Sequence, residues 1–334
     1  MKRIKVAQFG LGPIGVEALR LSAQRPWLEI VGAVDHDPAK AGRPLTEITG
    51  LGALDGLKVA RDLEALFRET PPEVILHTAS SSAAATLAQM RPALEFGVSV
   101  ASTCEQLIFP ALKEPALAKE YDALCRHTGA RVVATGVNPG FVMDVLPIAL
   151  TGVSREVESI RVERVVDAAT RRRPLQAKIG SGQEAEEFSD GLRSGRAGHA
   201  GLIESAALVA HAMGWALDSL VEEGEPVLAE REIVSPFFTV PPGRVCGIRQ
   251  RAVGASGGRE RVVLEIAMFL GAPQPHDRIV VHGRPPLDVT VTGGVAGDDA
   301  TVAALINVVP RLLAAPPGLR LATDLALPKW TGDS

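Results

Sequence analysis

The sequence predicts an α/β chain: a mostly parallel sheet covered by helices on both faces, then a second α+β domain with a mixed or antiparallel sheet. Three observations carry that expectation. Short apolar runs alternate with helical segments as far as Thr135. A glycine turn, FGLGPIG at Phe9–Gly15, separates the first run from the first helix. Beyond Asn138–Pro139–Gly140 the pattern changes to longer segments divided by glycine and proline turns.

Taken in order, Ile4–Phe9 reads as a short strand, Ile14–Ala23 as a helix, and Glu29–Val34 as a second strand ending at Asp35. That spacing suits a right-handed crossover. Val59 and Asp62–Arg68 continue the alternation. Val74–Thr78 follows as a strand, Ala83–Phe96 as a helix, Val98–Ala101 as a strand, Ala116–Thr128 as a helix and Arg131–Thr135 as a strand. This is the element order of a Rossmann-type domain. Val157–Ala168 then alternates as a strand would, and Leu202–Leu220 contains an apolar helical stretch. Arg231–Ile233, Val245–Val253, Arg261–Phe269 and Arg278–Val281 resemble longer strands without crossovers. Thr301–Leu313 reads as an apolar helix that closes back against the first domain.

Composition narrows the function. The chain has 334 residues, 46% hydrophobic and 22% charged, enough for two domains with substantial cores. Aromatic content of 4% leaves few rings for stacking bases. The net charge of −4 without a long basic tract argues against nucleic acid as a partner. Arg171–Arg173, lacking interleaved aromatics, reads as a solvated loop. Cys104, Cys125 and Cys246 are isolated and odd in number, so they suggest neither a zinc site nor a disulfide framework. No signal peptide is evident before the first strand, and no apolar run reaches about 18 residues. A soluble cytoplasmic protein with no membrane partner is expected.

Gly10, Gly12 and Gly15 form G-x-G-x-x-G directly after a strand. The first permits a tight turn, the second lets a pyrophosphate approach the backbone, and the third allows close helix packing. The helix that opens there offers amides and a partial positive charge to an anion. Leu11, Pro13 and Ile14 complete this cofactor-binding turn. Asp35 is placed to accept from a ribose diol, which favours NAD. His36, Lys40 and Arg43 follow at once and either neutralise a 2′-phosphate or sit in a solvated loop, so NAD and NADP both stay open. In HTASSSA, Thr78, Ala79 and Ser80 are the expected contacts beneath the cofactor. His77 is either a ligand contact or a hydrogen-bonded histidine at a strand end.

Cys104 and Glu105 follow the strand Val98–Ala101, where ligands of open parallel sheets bind. Glu105 is the catalytic candidate. Its carboxylate can pair with a substrate ammonium, take a proton to free the amine, and stabilise the iminium formed as hydride departs. The plainer reading makes Glu105 a helix cap or half of a surface ion pair. Cys104 has no evident partner base and reads as a buried thiol. Asn138 either holds the nicotinamide amide or stabilises its turn. Phe141 and Met143 are candidates for an apolar substrate wall, and His199, in the loop SGRAGHAG, for a mobile substrate contact. Asp144, Glu184 and Glu187 lack metal-site spacing, so no metal is expected.

On these residues the chain resembles the 2,4-diaminopentanoate dehydrogenase-like native amine dehydrogenases, which share the dihydrodipicolinate reductase N-terminal domain. The matching pieces are FGLGPIG, HTASS at His77–Ser81, STCEQLIFP at Ser102–Pro110, TGVNPGFVMDVLP at Thr135–Pro147 and GGVAGDDATVAALINVVP at Gly293–Pro310. The resemblance implies NAD(P)-dependent oxidative deamination of an amine, and reductive amination of a ketone or aldehyde with ammonia. It also implies a homodimer built through the second domain, with the catalytic glutamate at Glu105. Thr103 and Asn307, within the matching pieces, join the cofactor-binding candidates. The paired histidines and serine–glycine–threonine run of dihydrodipicolinate reductases are missing, as is the Glu-Lys-Pro of related sugar oxidoreductases. The expected divisions are 1–137 for the dinucleotide, 138–300 for substrate and dimerisation, and 301–334 for a helix and tail returning to the first domain. Two alternatives remain: a reductase of another carbonyl or cyclic imine, and a redox-sensing nucleotide-binding protein without turnover. An amino-acid-like substrate would need a second anchor, for which Arg161, Arg164 and His199 are candidates.

Overall fold

The computed structural model describes residues 3–332, so the outermost two residues of the first and last expected divisions lie outside the described residues. In chain order the elements begin β1 (Ile4–Phe9), α1 (Pro13–Ala23), β2 (Leu28–Val34), α2 (Leu45–Thr49), β3 (Val59–Ala60), α3 (Leu63–Glu69) and β4 (Val74–His77). Next come α4 (Ala83–Glu95), β5 (Ser99–Ser102), α5 (Pro115–Thr128), β6 (Arg131–Ala134), α6 (Val145–Leu150) and β7 (Glu156–Asp167). Then follow α7 (Arg173–Lys178), α8 (Ala185–Arg193), α9 (Leu202–Ala212), β8 (Ser219–Leu228), β9 (Ile233–Val234) and β10 (Thr239–Val240). The chain closes with β11 (Val245–Ser256), β12 (Arg259–Phe269), β13 (His276–Arg284), β14 (Leu287–Thr292), α10 (Gly297–Asn307), α11 (Val309–Ala314) and β15 (Gly318–Arg320). Two compact units result: Met1–Gly140 with Ala296–Ser334, and Phe141–Val295.

In the first unit the strand order is β3-β2-β1-β4-β5-β6-β15, and every pair is parallel. This is the Rossmann order with one strand added from the end of the chain. The order reverses at β1, which puts the glycine turn at the switch point. Sheet residues Val6, Val74, Leu76, Ala101 and Val133 share one core with Val302, Leu305, Ile306, Val309 and Leu312 from α10 and α11. The expected helix Thr301–Leu313 is in fact two. Pro310 has no amide hydrogen and its ring would crowd the carbonyl four residues back, so the helix stops at Asn307 and restarts at Val309. The start also lies earlier, at Gly297, with Asp298 and Asp299 in the first turn facing the positive helix end.

The second unit holds a mixed six-stranded sheet in the order β14-β13-β7-β12-β11-β8. Only β7 and β12 pair in parallel; the other neighbours are antiparallel. Apolar α9 packs against β8, β11 and β12. The opposite face carries an ionic lattice in which Arg251 pairs with Glu260 at 2.8 Å and Glu265 at 3.1 Å. The expected apolar stretch Leu202–Leu220 ends as a helix at Ala212, and Ser219–Leu220 begin edge strand β8. Glu222, Glu223, Gly224, Glu225 and Pro226 hide that strand from a periodicity reading, since charge, glycine and proline are edge-strand features. Arg231–Ile233 is not a long strand either. Ile233 and Val234 form a two-residue ribbon with β10, apart from the main sheet. Helices α2, α6, α7 and α8 and strands β10, β14 and β15 have no counterpart in the sequence reading.

Candidate active site

The glycine turn is built by long-range contacts as much as by its own residues. Gly10 adopts φ +91°, and its amide donates to the Val34 carbonyl at 2.9 Å. A β-carbon on Gly15 would lie 1.9 Å from the Gly10 carbonyl oxygen, so α1 packs against the turn only because Gly15 has none. Gly12 is the opposite case: a β-carbon there would meet nothing within 4 Å. Open space above Gly12, and a helix whose first turn carries no side-chain cap, fit a dinucleotide pyrophosphate. Pro13 takes the first helical position, where its missing amide hydrogen costs nothing.

Gln8 is a site residue that the sequence reading missed. Its fully buried side chain donates from Nε2 to the Gly10 carbonyl at 3.0 Å and to Thr78 Oγ1 at 2.8 Å. Thr78 Oγ1 donates to the same Gly10 carbonyl at 3.1 Å. Thr78, expected as a cofactor contact, therefore fixes the turn from below. The signal was a single amide in the apolar strand IKVAQF, immediately before the turn. Ala79 backs Gly10: a β-carbon on Gly10 would come within 3.0 Å of the Ala79 methyl. Ser80 Oγ accepts the Ser82 amide at 3.1 Å.

Asp35 is held on all sides. Oδ2 accepts the Leu11 amide at 2.7 Å and Lys40 Nζ at 3.1 Å, and Oδ1 accepts the Asp37 amide at 2.8 Å. Burial pushes its pKa up, but the Asp37 and Leu11 amides and the Lys40 ammonium outweigh burial and leave it below the usual carboxylate range. The acid is thus ionised and locked in place. Exposed His36 sets its ring edge-on to Phe9, with centroids 5.2 Å apart. Arg43 pairs with Glu47 at the surface.

Phe9, His77 and Ser102 end three adjacent strands and stand opposite one another. His77 is fully buried, stacked on Phe9 at 5.4 Å, with Nδ1 2.9 Å from Ser102 Oγ and Nε2 3.0 Å from Gln89 Oε1. Burial drives its pKa down to about 4, against the Gln89 hydrogen bond, so the ring is neutral. Of the two readings left open for His77, this is the hydrogen-bonded strand end. Thr103 continues β5, its amide donating to the His77 carbonyl at 3.0 Å.

Glu105 opens a short 3₁₀ turn, Glu105–Ile108, just past the end of β5. Ser102 Oγ accepts the Cys104 amide at 3.0 Å, while Gln106 Oε1 accepts the Ala83 amide at 3.0 Å. Leu107 and Ile108 are buried and anchor the turn from beneath. Glu105 itself is half-buried, and its carboxylate has no hydrogen-bond or ion-pair partner among the described residues. Neither a cap nor a surface pair accounts for it. The Cys104 thiol is buried, which pushes its pKa up to about 11, so it is no nucleophile.

Asn138 sits partly exposed in the turn after β6, where the Val137 amide donates to Thr301 Oγ1 at 3.3 Å. Asn307 is the last residue of α10. It lies six residues beyond Thr301, about 9 Å along α10, and its Oδ1 accepts the Thr331 amide from the chain's own tail. In the second unit, Met143 is fully buried and Phe141 partly so. The loop of His199, expected to move, is pinned. Gln250 Oε1 accepts its amide at 2.5 Å, and Gln250 Nε2 donates to its carbonyl at 3.2 Å. Burial of the ring, then the charges of Lys178, Arg164 and Arg171, lower the His199 pKa to about 3. Arg161 and Arg164 are already engaged, by Glu260 at 2.6 Å and by buried Asp277 at 2.5 Å. Neither is free to anchor a substrate. Among the described residues no group of His, Cys, Asp and Glu is placed to hold a metal ion.

The sequence profile of the 2,4-diaminopentanoate dehydrogenase C-terminal domain matches residues 141–333, more than half the chain. The chain belongs to this family. A 2,4-diaminopentanoate dehydrogenase of Acetoanaerobium sticklandii is 29% identical over 336 residues, spanning 98% of this chain and 95% of the relative. An amine dehydrogenase of Streptomyces virginiae is 26% identical over 356 residues, spanning 97% and 96%. The solved structure of an amine dehydrogenase from Mycobacterium smegmatis has the same fold: TM-score 0.85, covering 98% of this chain and 97% of that one at 23% identity. This member of the family is an NAD(P)-dependent oxidoreductase of the amine and diaminopentanoate dehydrogenase group, and its cofactor is a nicotinamide dinucleotide. Among the described residues, no helix is long and apolar enough to cross a membrane.

Proposed function

We propose that the chain is an amine dehydrogenase that deaminates an amine to a ketone or aldehyde and, in reverse, aminates the carbonyl with ammonia. The observation that supports it best is the unpaired Glu105 carboxylate at the strand ends, in the same unit as the glycine turn. An anion left without a partner in its own fold is suited to a cation brought by the substrate. When bound, the nicotinamide supplies or takes up the hydride at the carbon bearing nitrogen. Glu105 holds the ammonium, accepts its proton to free the amine lone pair, and offsets the positive charge of the iminium. Gly12 and the first turn of α1 hold the pyrophosphate, Asp35 the ribose, and Asn138 the nicotinamide amide.

The relatives' names point to a diamino acid and to amines, so a test panel includes the carbonyl counterparts of both. Oxidation of NADH or NADPH that depends on ammonia supports the proposal. Equal oxidation without ammonia favours the carbonyl reductase instead, and no oxidation with tight nucleotide binding favours the sensor. Glu105→Gln keeps nucleotide binding and lowers turnover by roughly 100-fold or more; a fully active variant removes Glu105 from the mechanism.

A cytoplasmic homodimer belongs to the same proposal. Its support is the open ionic face of the six-stranded sheet, where both charge signs alternate, and the three free, buried cysteines. Light scattering on the purified chain tests the dimer.

A further inference from the structure

The His77 ring lies between the two halves of the candidate site. On one side it stacks on Phe9, the residue before Gly10. On the other, its Nδ1 meets Ser102 Oγ, which also accepts the amide of Cys104, the residue before Glu105. Because Gln89 presents its carbonyl oxygen to Nε2, the ring carries its proton there, and Nδ1 accepts the Ser102 hydroxyl. Three hydrogen bonds therefore run in series from α4 to the Cys104 peptide, the two at Ser102 buried and the one at Gln89 partly so. A leucine would fill such a space without desolvating any polar group. A buried imidazole needs a partner at each nitrogen, and here both partners are provided.

We propose that His77 is a positioning residue for Glu105: acting through Ser102, it fixes the Cys104 peptide and so the direction in which the Glu105 carboxylate points. This rests on the assignment of Glu105 as the group that binds and deprotonates the amine. The ring takes no proton itself. Its value is a fixed tautomer and a single orientation, shared with the strand that leads into the glycine turn.

The test compares His77→Leu, His77→Asn, Ser102→Ala and Glu105→Gln in the purified full chain. It measures kcat, KM for ammonia, and the Kd of the reduced nicotinamide by fluorescence. His77→Leu and Ser102→Ala are expected to lower kcat by about tenfold or more with nucleotide Kd within about twofold, the pattern of a misdirected group. His77→Asn should recover most of that loss, because its side-chain oxygen can take the place of Nδ1 and accept the Ser102 hydroxyl. Wild-type kcat in Ser102→Ala, which removes one atom, overturns the proposal, as does His77→Asn failing as badly as His77→Leu. A loss confined to nucleotide Kd also overturns it. If His77→Leu does not fold, Ser102→Ala decides. Full turnover in Glu105→Gln sinks both assignments, whereas an inactive Glu105→Gln beside a fully active Ser102→Ala sinks the relay alone.

Discussion

The Leu11 amide donates to Asp35 Oδ2 at 2.7 Å, and Lys40 reaches the same oxygen at 3.1 Å. The turn that would hold the pyrophosphate and the acid that would hold the ribose are therefore one hydrogen-bonded unit, with a cation already at its edge. This relationship makes nucleotide preference testable. Asp35→Ala should weaken NADH binding by about tenfold or more, since it removes a charged acceptor from two main-chain amides. The freed Lys40 should meanwhile improve NADPH relative to NADH. Titration of both nucleotides by fluorescence checks this, and an equal loss for the two would remove Lys40 from the account.

Gly15 and Gly12 separate packing from binding. The Gly15→Ala methyl would press on the Gly10 carbonyl, a main-chain atom that cannot swing away, so a loss of roughly 1–3 kcal/mol in stability is expected together with weaker nucleotide binding. The Gly12→Ala methyl meets no protein atom within 4 Å. Its stability should stay within about 0.5 kcal/mol of wild type while nucleotide affinity drops. Denaturation and titration of the two variants give the comparison; unchanged affinity in Gly12→Ala would mean that no phosphate approaches there.

His77 should leave a mark on acid stability. Its folded pKa of about 4 lies below the ordinary 6.5, so between those values the unfolded chain binds the extra proton. Its contribution is complete above pH 6.5 and is lost as pH falls from there to about 4. The total is about 3 kcal/mol. Chemical denaturation across this window should show stability rising with pH in the wild type, and a shallower rise in His77→Leu. Identical slopes would show that the ring is not held neutral.

Much of the parallel domain was legible along the chain. Its strands are apolar on both faces and its turns carry their own glycines, so β1, α1 and β2 appear within a residue or so of where periodicity puts them. The strand ends were less legible. Ser102 belongs to β5 because it pairs with His77 across the sheet, and nothing within VSVAS announces that pairing. Pro310 stands within GGVAGDDATVAALINVVP, but the apolar periodicity continues on either side of it and masks the break. In the second unit the acidic edge strand β8 is not legible because an edge does not need the alternation of a half-buried strand.

The sequence by itself determined the class of the first domain, the glycine turn, the acid after β2 and the carboxylate after β5. Each depends on residues close together in the chain, where backbone sterics and strand length decide the outcome. Tertiary structure decided who meets whom: Gln8 with Thr78, Leu11 with Asp35, His77 with Ser102, Thr331 with Asn307. Those pairs are 24 to 70 residues apart. Hydrogen-bond partners at such separations follow from the register of packed strands and helices, which local spacing does not encode. That is why Glu105 could be singled out from the chain alone, while the partners of the buried histidine behind it could not.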